Sequence, residues 1–268
     1  MKRQIQSAYE RAATDPQADP RCVPIHLESP APEGDLIRSP TYSAADHETW
    51  ALLYGRQRAL LAGRACTEFL SGLERMEFPE DRIPALRDVS RVLERATGWN
   101  AARVPGLLHE EDFFGFLARR VFPSTDYIRP RNEIDYTPAP DLFHDIFGHT
   151  PMITHRAFAD FYQRLGAAAL RARGQDRRRL ERFYWFTVEF GLIRTAEGLR
   201  IYGNGILSSH AEVHHSLTDA VVKLDFDPER IVEQAYDVWH LQPLLFVIDS
   251  FEQLADGFEA WARGRALL

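Results

Sequence analysis

A chain of 268 residues with 45% hydrophobic and 26% charged side chains can bury a substantial core without covalent staples. Its two cysteines, Cys22 and Cys66, make no disulfide framework and point to a reducing compartment, the cytoplasm. A formal charge of −7 argues against nucleic acid as the main partner. The opening MKRQIQSAYERAATD lacks the apolar stretch of a signal peptide, and no apolar run approaches the ~18 residues of a membrane span.

Residues 1–42 carry six prolines between Pro16 and Pro40 and no lasting apolar period, which predicts an extended arm on the surface. From Ser43, a plausible N-cap, the pattern turns helical: Trp50, Leu53, Tyr54 and Leu61 share one face. Leu86, Val89, Leu93 and Ala96 repeat it, with Pro84 near the start and Gly98 just past the end. Further helices are predicted over Glu110 to Phe122, around Phe158, Phe161, Leu165 and Ala169, from about Arg177 to Leu192, and around Phe251, Leu254, Phe258 and Trp261. LIRTAEGLRIY reads as a hairpin about Glu197-Gly198, and LLFVI as a short strand. RARGQDRRRLER, residues 171–182, holds six arginines; it reads as a solvated helix connection rather than a phosphate patch. Residues 43–268 thus read as one domain, mainly α with a small β element.

PDLFHDIFGHTP sets His144 and His149 five positions apart. On an unbroken α-helix that spacing turns the second side chain about 140° away from the first. A left-handed Gly148 ending the helix would let His149 swing back, with Pro138, Pro140 and Pro151 stiffening the approach and the exit. The pair alone does not choose a metal. A carboxylate third ligand with open positions suits non-haem Fe(II), and a third ligand plus water suits a catalytic zinc. Glu189, inside the apolar run YWFTVEFGL, is the best third ligand; a buried ion pair with an arginine is its structural alternative. HAEVHH offers a rival, His210 and His214 at i, i+4 with Glu212 between them. It lacks an obvious third ligand and reads better as a polar helix face.

IDYTPAPDLFHDIFGHTPMI, YWFTVEFGL, YGNGILSS and QPLLFVIDSF, in that order and at these distances, resemble the signatures of the pterin-dependent aromatic amino acid hydroxylases. The likeness runs from about Tyr42 to Trp261 and points to the short bacterial members, which are single catalytic domains and monomers. It implies Fe(II) held by His144, His149 and Glu189, a tetrahydropterin, and O2 as co-substrate. It implies that Ser208 fixes the far nitrogen of His144, although Ser208 also reads as a helix N-cap. Arg129 would bind the carboxylate of a free aromatic amino acid, as a guanidinium fork suits. Thr137 and Gly205 would contact the amino acid backbone. Pro140, Trp185 and Phe190 would wall the ring pocket, with Val238 and Pro123 nearby. Gly106, Leu107 and Leu108 would meet the polar edge of the pterin, Phe113 would stack on its ring, Tyr184 would close the site, and Asp145 would sit near metal-bound water. The activity implied is L-phenylalanine to L-tyrosine. Tryptophan 5-, tyrosine 3- or phenylalanine 3-hydroxylation on the same scaffold, and a zinc hydrolase with the same ligands, are the alternatives.

Overall fold

The computed structural model describes residues 19–268; the first 18 residues, which hold part of the expected arm, lie outside that range. Helix α1, Ala44–Leu61, starts at a capping box in which the Ser43 hydroxyl accepts the Asp46 N–H and the Asp46 carboxylate accepts the Ser43 N–H. Helix α2, Thr67–Met76, follows; α3, Leu86–Thr97, ends at Gly98 with φ +75°. The Pro84 and Gly98 punctuation therefore reads as expected, whereas α2 was not anticipated.

The helix predicted over Glu110 to Phe122 is shorter: α4 spans Glu110–Ala118, and Val121–Thr125 is a strand, β2. Arg120 takes a left-handed turn at φ +60°, and Pro123 could not continue a helix. β2 pairs in parallel with β1, Asn100–Val104, in a small sheet with α4 as the crossover. Two short helical turns carry the central motif: a π-helix over His144–His149 and α5, Thr150–Ile153. Helix α6, Arg156–Arg171, presents Phe158, Phe161, Leu165 and Ala169 to the core as predicted.

The helix expected from Arg177 to Leu192 splits into three. Helix α7 is Gln175–Tyr184, a second π-helix runs Trp185–Glu189, and Gly191–Thr195 is strand β3. Leu192 and Ile193 are buried because β3 lies inside a four-stranded sheet, and that packing overrides local propensity. The predicted hairpin is present, β3 pairing antiparallel with β4, Gly198–Ile201. Helices α8, Asn204–Leu207, and α9, His210–Ser216, come next. Then come β5, Val222–Asp225, α10, Pro228–Glu233, β6, Leu244–Ile248, and α11, Phe251–Arg263. The sheet order is β4-β3-β6-β5, with β6 parallel to both of its neighbours.

The arginine run is less exposed than its composition suggests. Arg177 is buried against the Phe114 ring, and Arg179 and Arg182 reach Glu233 at the end of α10. Residues 19–42 are tied down: Ile25 exchanges backbone hydrogen bonds with Leu107 and His109, Cys22 donates to the Pro138 carbonyl, and Arg21 pairs with Glu133. Among the described residues no helix is long and apolar enough to cross a membrane.

Candidate metal centre

Phe143 and Phe147 fix the orientation of the first π-helix. They stack on each other at 4.8 Å and bury against Trp50, Tyr54 and Phe69. Burying two phenyl rings contributes roughly 3–6 kcal/mol, so this face cannot turn to water. His144 and His149 are left facing a cavity of about 570 Å³.

Gly148 does not act as expected. It is not left-handed and the helix does not end there. The π-helix, with its i→i+5 bonds, adds residues to the turn and brings position i+5 back over position i. The Nε2 atoms of His144 and His149 lie 3.0 Å apart. What Gly148 supplies is room: a Cβ there would come 3.0 Å from the Asn204 carbonyl oxygen and 3.2 Å from Ser208 Cβ.

Glu189 is the last residue of the second π-helix, where the Phe190 N–H bonds to the Trp185 carbonyl, again i→i+5. Its Oε1 lies 3.2 Å from His149 Nε2 and its Oε2 3.8 Å from His144 Nε2. The alternative of an ion pair with arginine is not what the structure shows. Among the described residues this trio is the one convergent set of three His, Cys, Asp or Glu side chains. His210 and His214 are neighbours, with ring centroids 4.7 Å apart, but gain no third ligand.

Ring tautomers decide whether the set fits a metal. The Ser208 hydroxyl donates to the Asn204 carbonyl at 2.9 Å, so towards His144 Nδ1, 2.8 Å away, it acts as an acceptor. That puts the proton on Nδ1 and a lone pair on Nε2, facing the centre. The N-cap of α9 is Ser209, so Ser208 is free for this role. Asn204 lies 2.9 Å from His149 Nδ1, and its buried Oδ1 has no partner. Turning the amide over, a change that leaves its shape intact, lets Oδ1 accept the Nδ1–H and frees Nε2 of His149 as well. Burial holds His144 down to about 4, so its ring is neutral at pH 7. Burial pushes Glu189 up, but the His149 and His144 rings and the Tyr184 hydroxyl together outweigh this and hold the carboxyl down to about 2. Two imidazole Nε2 donors and one carboxylate fit a divalent iron with open positions.

Every residue singled out from the sequence for metal, pterin or substrate lines this cavity, from Gly106 to Val238, and so does Pro123. Asp145 accepts the Thr125 N–H at 2.8 Å, and burial pushes its carboxyl well above the usual range against that bond. Tyr184 meets the Tyr162 hydroxyl at 3.1 Å and packs edge-on against Phe113. Arg129 is gripped by Asp141, Nε to Oδ2 at 2.9 Å and Nη2 to Oδ1 at 2.8 Å. Burial alone would lower the guanidinium; the Asp141 carboxylate reverses this and raises it. Gly205 lets α8 close on the metal ligand, since a Cβ there would lie 3.1 Å from Glu189 Oε2. Sequence reasoning missed Asn204 and Asp141. Both stand inside quoted motifs, and a buried polar residue beside a ligand was the available signal.

The family described as biopterin-dependent aromatic amino acid hydroxylase matches residues 29–265. The phenylalanine-4-hydroxylase of Chromobacterium violaceum is 47% identical over 217 residues, 80% of this chain and 73% of that one. That of Pseudomonas aeruginosa is 43% identical over 213 residues, 80% and 81% of the two chains. A crystal structure of the C. violaceum enzyme with bound iron(III) and the oxidised cofactor 7,8-dihydrobiopterin superposes with a TM-score of 0.80 at 46% identity, covering 84% of this chain and 82% of that one. With the ligand trio, its tautomers and its cavity in agreement, the chain belongs to the biopterin-dependent aromatic amino acid hydroxylases.

Proposed function

We infer that the protein hydroxylates free L-phenylalanine to L-tyrosine, using Fe(II), a tetrahydropterin and O2. The observation that carries this is the trio His144, His149 and Glu189, with both Nε2 lone pairs turned into a cavity whose walls suit an aromatic amino acid. A zinc hydrolase on the same ligands is not favoured, because the family uses iron with biopterin.

Iron and tetrahydropterin together supply the reducing power that activates O2; the chain supplies binding, orientation and dryness. Arg129, with Nε and Nη2 committed to Asp141, would offer Nη1 to the substrate carboxylate. Thr137, whose hydroxyl meets Tyr127 and the Ala139 carbonyl, and Gly205 would border the amino acid backbone. Trp185 packs on Phe190 at 4.5 Å, and with Pro140 and Val238 would form the ring wall. The pterin would lie along Gly106, Leu107 and Leu108 with Phe113 on its face. The Leu107 carbonyl already accepts the Ile25 N–H, so this turn would meet the ring with its remaining amide groups. Asp145 and Tyr184 would border water at the metal. We take residues 43–268 as the catalytic domain and 1–42 as its arm, acting as a monomer in the cytoplasm. The two buried free cysteines support that compartment.

Product analysis with iron, tetrahydropterin and each aromatic amino acid tests the reading, with tyrosine from phenylalanine as the expected main product. A higher kcat/KM for tryptophan, or 3-hydroxyphenylalanine as main product, would overturn the substrate assignment and leave the family standing.

A further inference from the structure

Gln242 opens the motif QPLLFVIDSF, yet nothing in the ligand set or the substrate clamp explains it. It is 2% exposed and uses all of its polar groups. Its backbone N–H donates to Glu212 Oε1 at 2.9 Å, and its carbonyl lies 3.1 Å from His215 Nε2. Both anchors belong to α9. Its side-chain oxygen accepts the Trp185 indole N–H at 3.0 Å. Its side-chain nitrogen donates to the carbonyls of Asp237 and His240 at 2.7 and 2.8 Å.

These bonds converge on one wall of the cavity. Residues 234–243 have no regular secondary structure, so no ladder fixes their course. Gln242 replaces the ladder by holding two carbonyls of the loop from inside. Tyr236 of the same loop stacks on Trp185 at 4.5 Å, and Val238 lines the cavity beside it. The indole cannot swing without giving up its acceptor, and a half-buried N–H left without one is costly. One amide therefore couples the tilt of Trp185 to the position of the loop facing it.

We propose that Gln242 is a positioning residue for ring choice, which holds the Trp185 indole and the 236–242 wall at one spacing that admits a phenyl ring in preference to an indole. The inference rests on the reading of this cavity as an aromatic amino acid site. A single methylene more or less in a hydrophobic pocket is worth roughly ten- to two-hundredfold in kcat/KM, so loosening one wall leaves a measurable change.

The test is Gln242→Met, which keeps length and removes every side-chain hydrogen bond to Trp185 and the loop, in iron-loaded protein. The expected result is a fall of roughly tenfold in the kcat/KM ratio of phenylalanine over tryptophan, carried by KM for phenylalanine, with iron content and kcat near wild type. In a Trp185→Phe background, where the indole bond is already gone, Gln242→Met is expected to add clearly less than it does alone. An unchanged ring preference, or effects that simply add, would show a purely structural role and overturn the proposal. Should the Met variant not fold, Gln242→Glu carries the test. It keeps an acceptor for the indole, loses both donors to the loop, and is expected to relax the preference by roughly threefold; no change overturns the proposal. A wild-type protein that turns over no aromatic amino acid would defeat the underlying reading instead, an outcome visible before any variant is made.

Discussion

Three side chains hold the centre, and each is expected to matter singly. His144→Ala, His149→Ala and Glu189→Ala should each abolish iron retention or coupled turnover with the fold kept, as read by metal analysis and circular dichroism. His210→Ala and His214→Ala should retain iron, since those rings converge on no third ligand. Arg129→Lys keeps the charge and loses the fork gripped by Asp141. A charge-assisted hydrogen bond is worth ~1.5–3 kcal/mol, so phenylalanine should bind roughly ten- to hundredfold more weakly, with pterin binding little changed. Calorimetric titration with each ligand checks this, and equal losses for both would assign Arg129 a structural role. The donors themselves were legible in the sequence because histidine pairs and a glutamate among aromatics are chemically conspicuous. Asn204 and Asp141 were not, because nothing local says which ring or guanidinium a distant amide or carboxylate will meet.

Elements explain why the spacing of the pair misled. Five positions on an α-helix point apart, and a glycine between them invites a helix end. The fold widens the turn instead, and it does so twice, at His144–His149 and at Trp185–Glu189. Nothing in residue composition signals a π-helix; it is imposed by what packs around it, here Phe143 and Phe147 on one side and α8 on the other. Gly148→Ala tests this packing. Its Cβ would press on the Asn204 backbone carbonyl and on Ser208, the two groups that set the His144 tautomer; the side-chain amide of the same Asn204 meets His149. A loss of about 1–3 kcal/mol in unfolding free energy is expected, together with weaker iron binding. Full stability with unchanged iron affinity would mean that α8 yields easily. Long amphipathic helices were readable for the opposite reason, since α3, α6 and α11 owe their form to their own periodicity. Strands β1, β2 and β5 depend on partners distant in the chain and gave no comparable signal.

At the scale of the whole molecule, one buried acid outside the metal trio sets a pH dependence. Burial pushes the Glu212 carboxyl up to about 7, against the Gln242 N–H that would lower it. A folded-state value above the ordinary 4.5 means that Glu212 contributes stability at low pH and loses it as pH rises through about 7. Glu212→Gln keeps an acceptor for the Gln242 N–H and removes the titration. The stability of the wild type relative to this variant should fall between pH 5 and 8, by on the order of 3 kcal/mol, in urea titrations of metal-free protein. A constant difference across that range would show that Glu212 ionises normally. The path of the chain through this body also sets an order in time. Ile25 clasps Leu107 and His109, so the turn expected to meet the pterin can form once the ribosome has released the first half of the protein. The iron ligands come later, with Glu189 last, and the groups that steer the two imidazoles, Asn204 and Ser208, later still. A nascent chain halted at Tyr202 would hold all three donors and neither steering group. Donors with both ring tautomers set therefore require the chain beyond Tyr202.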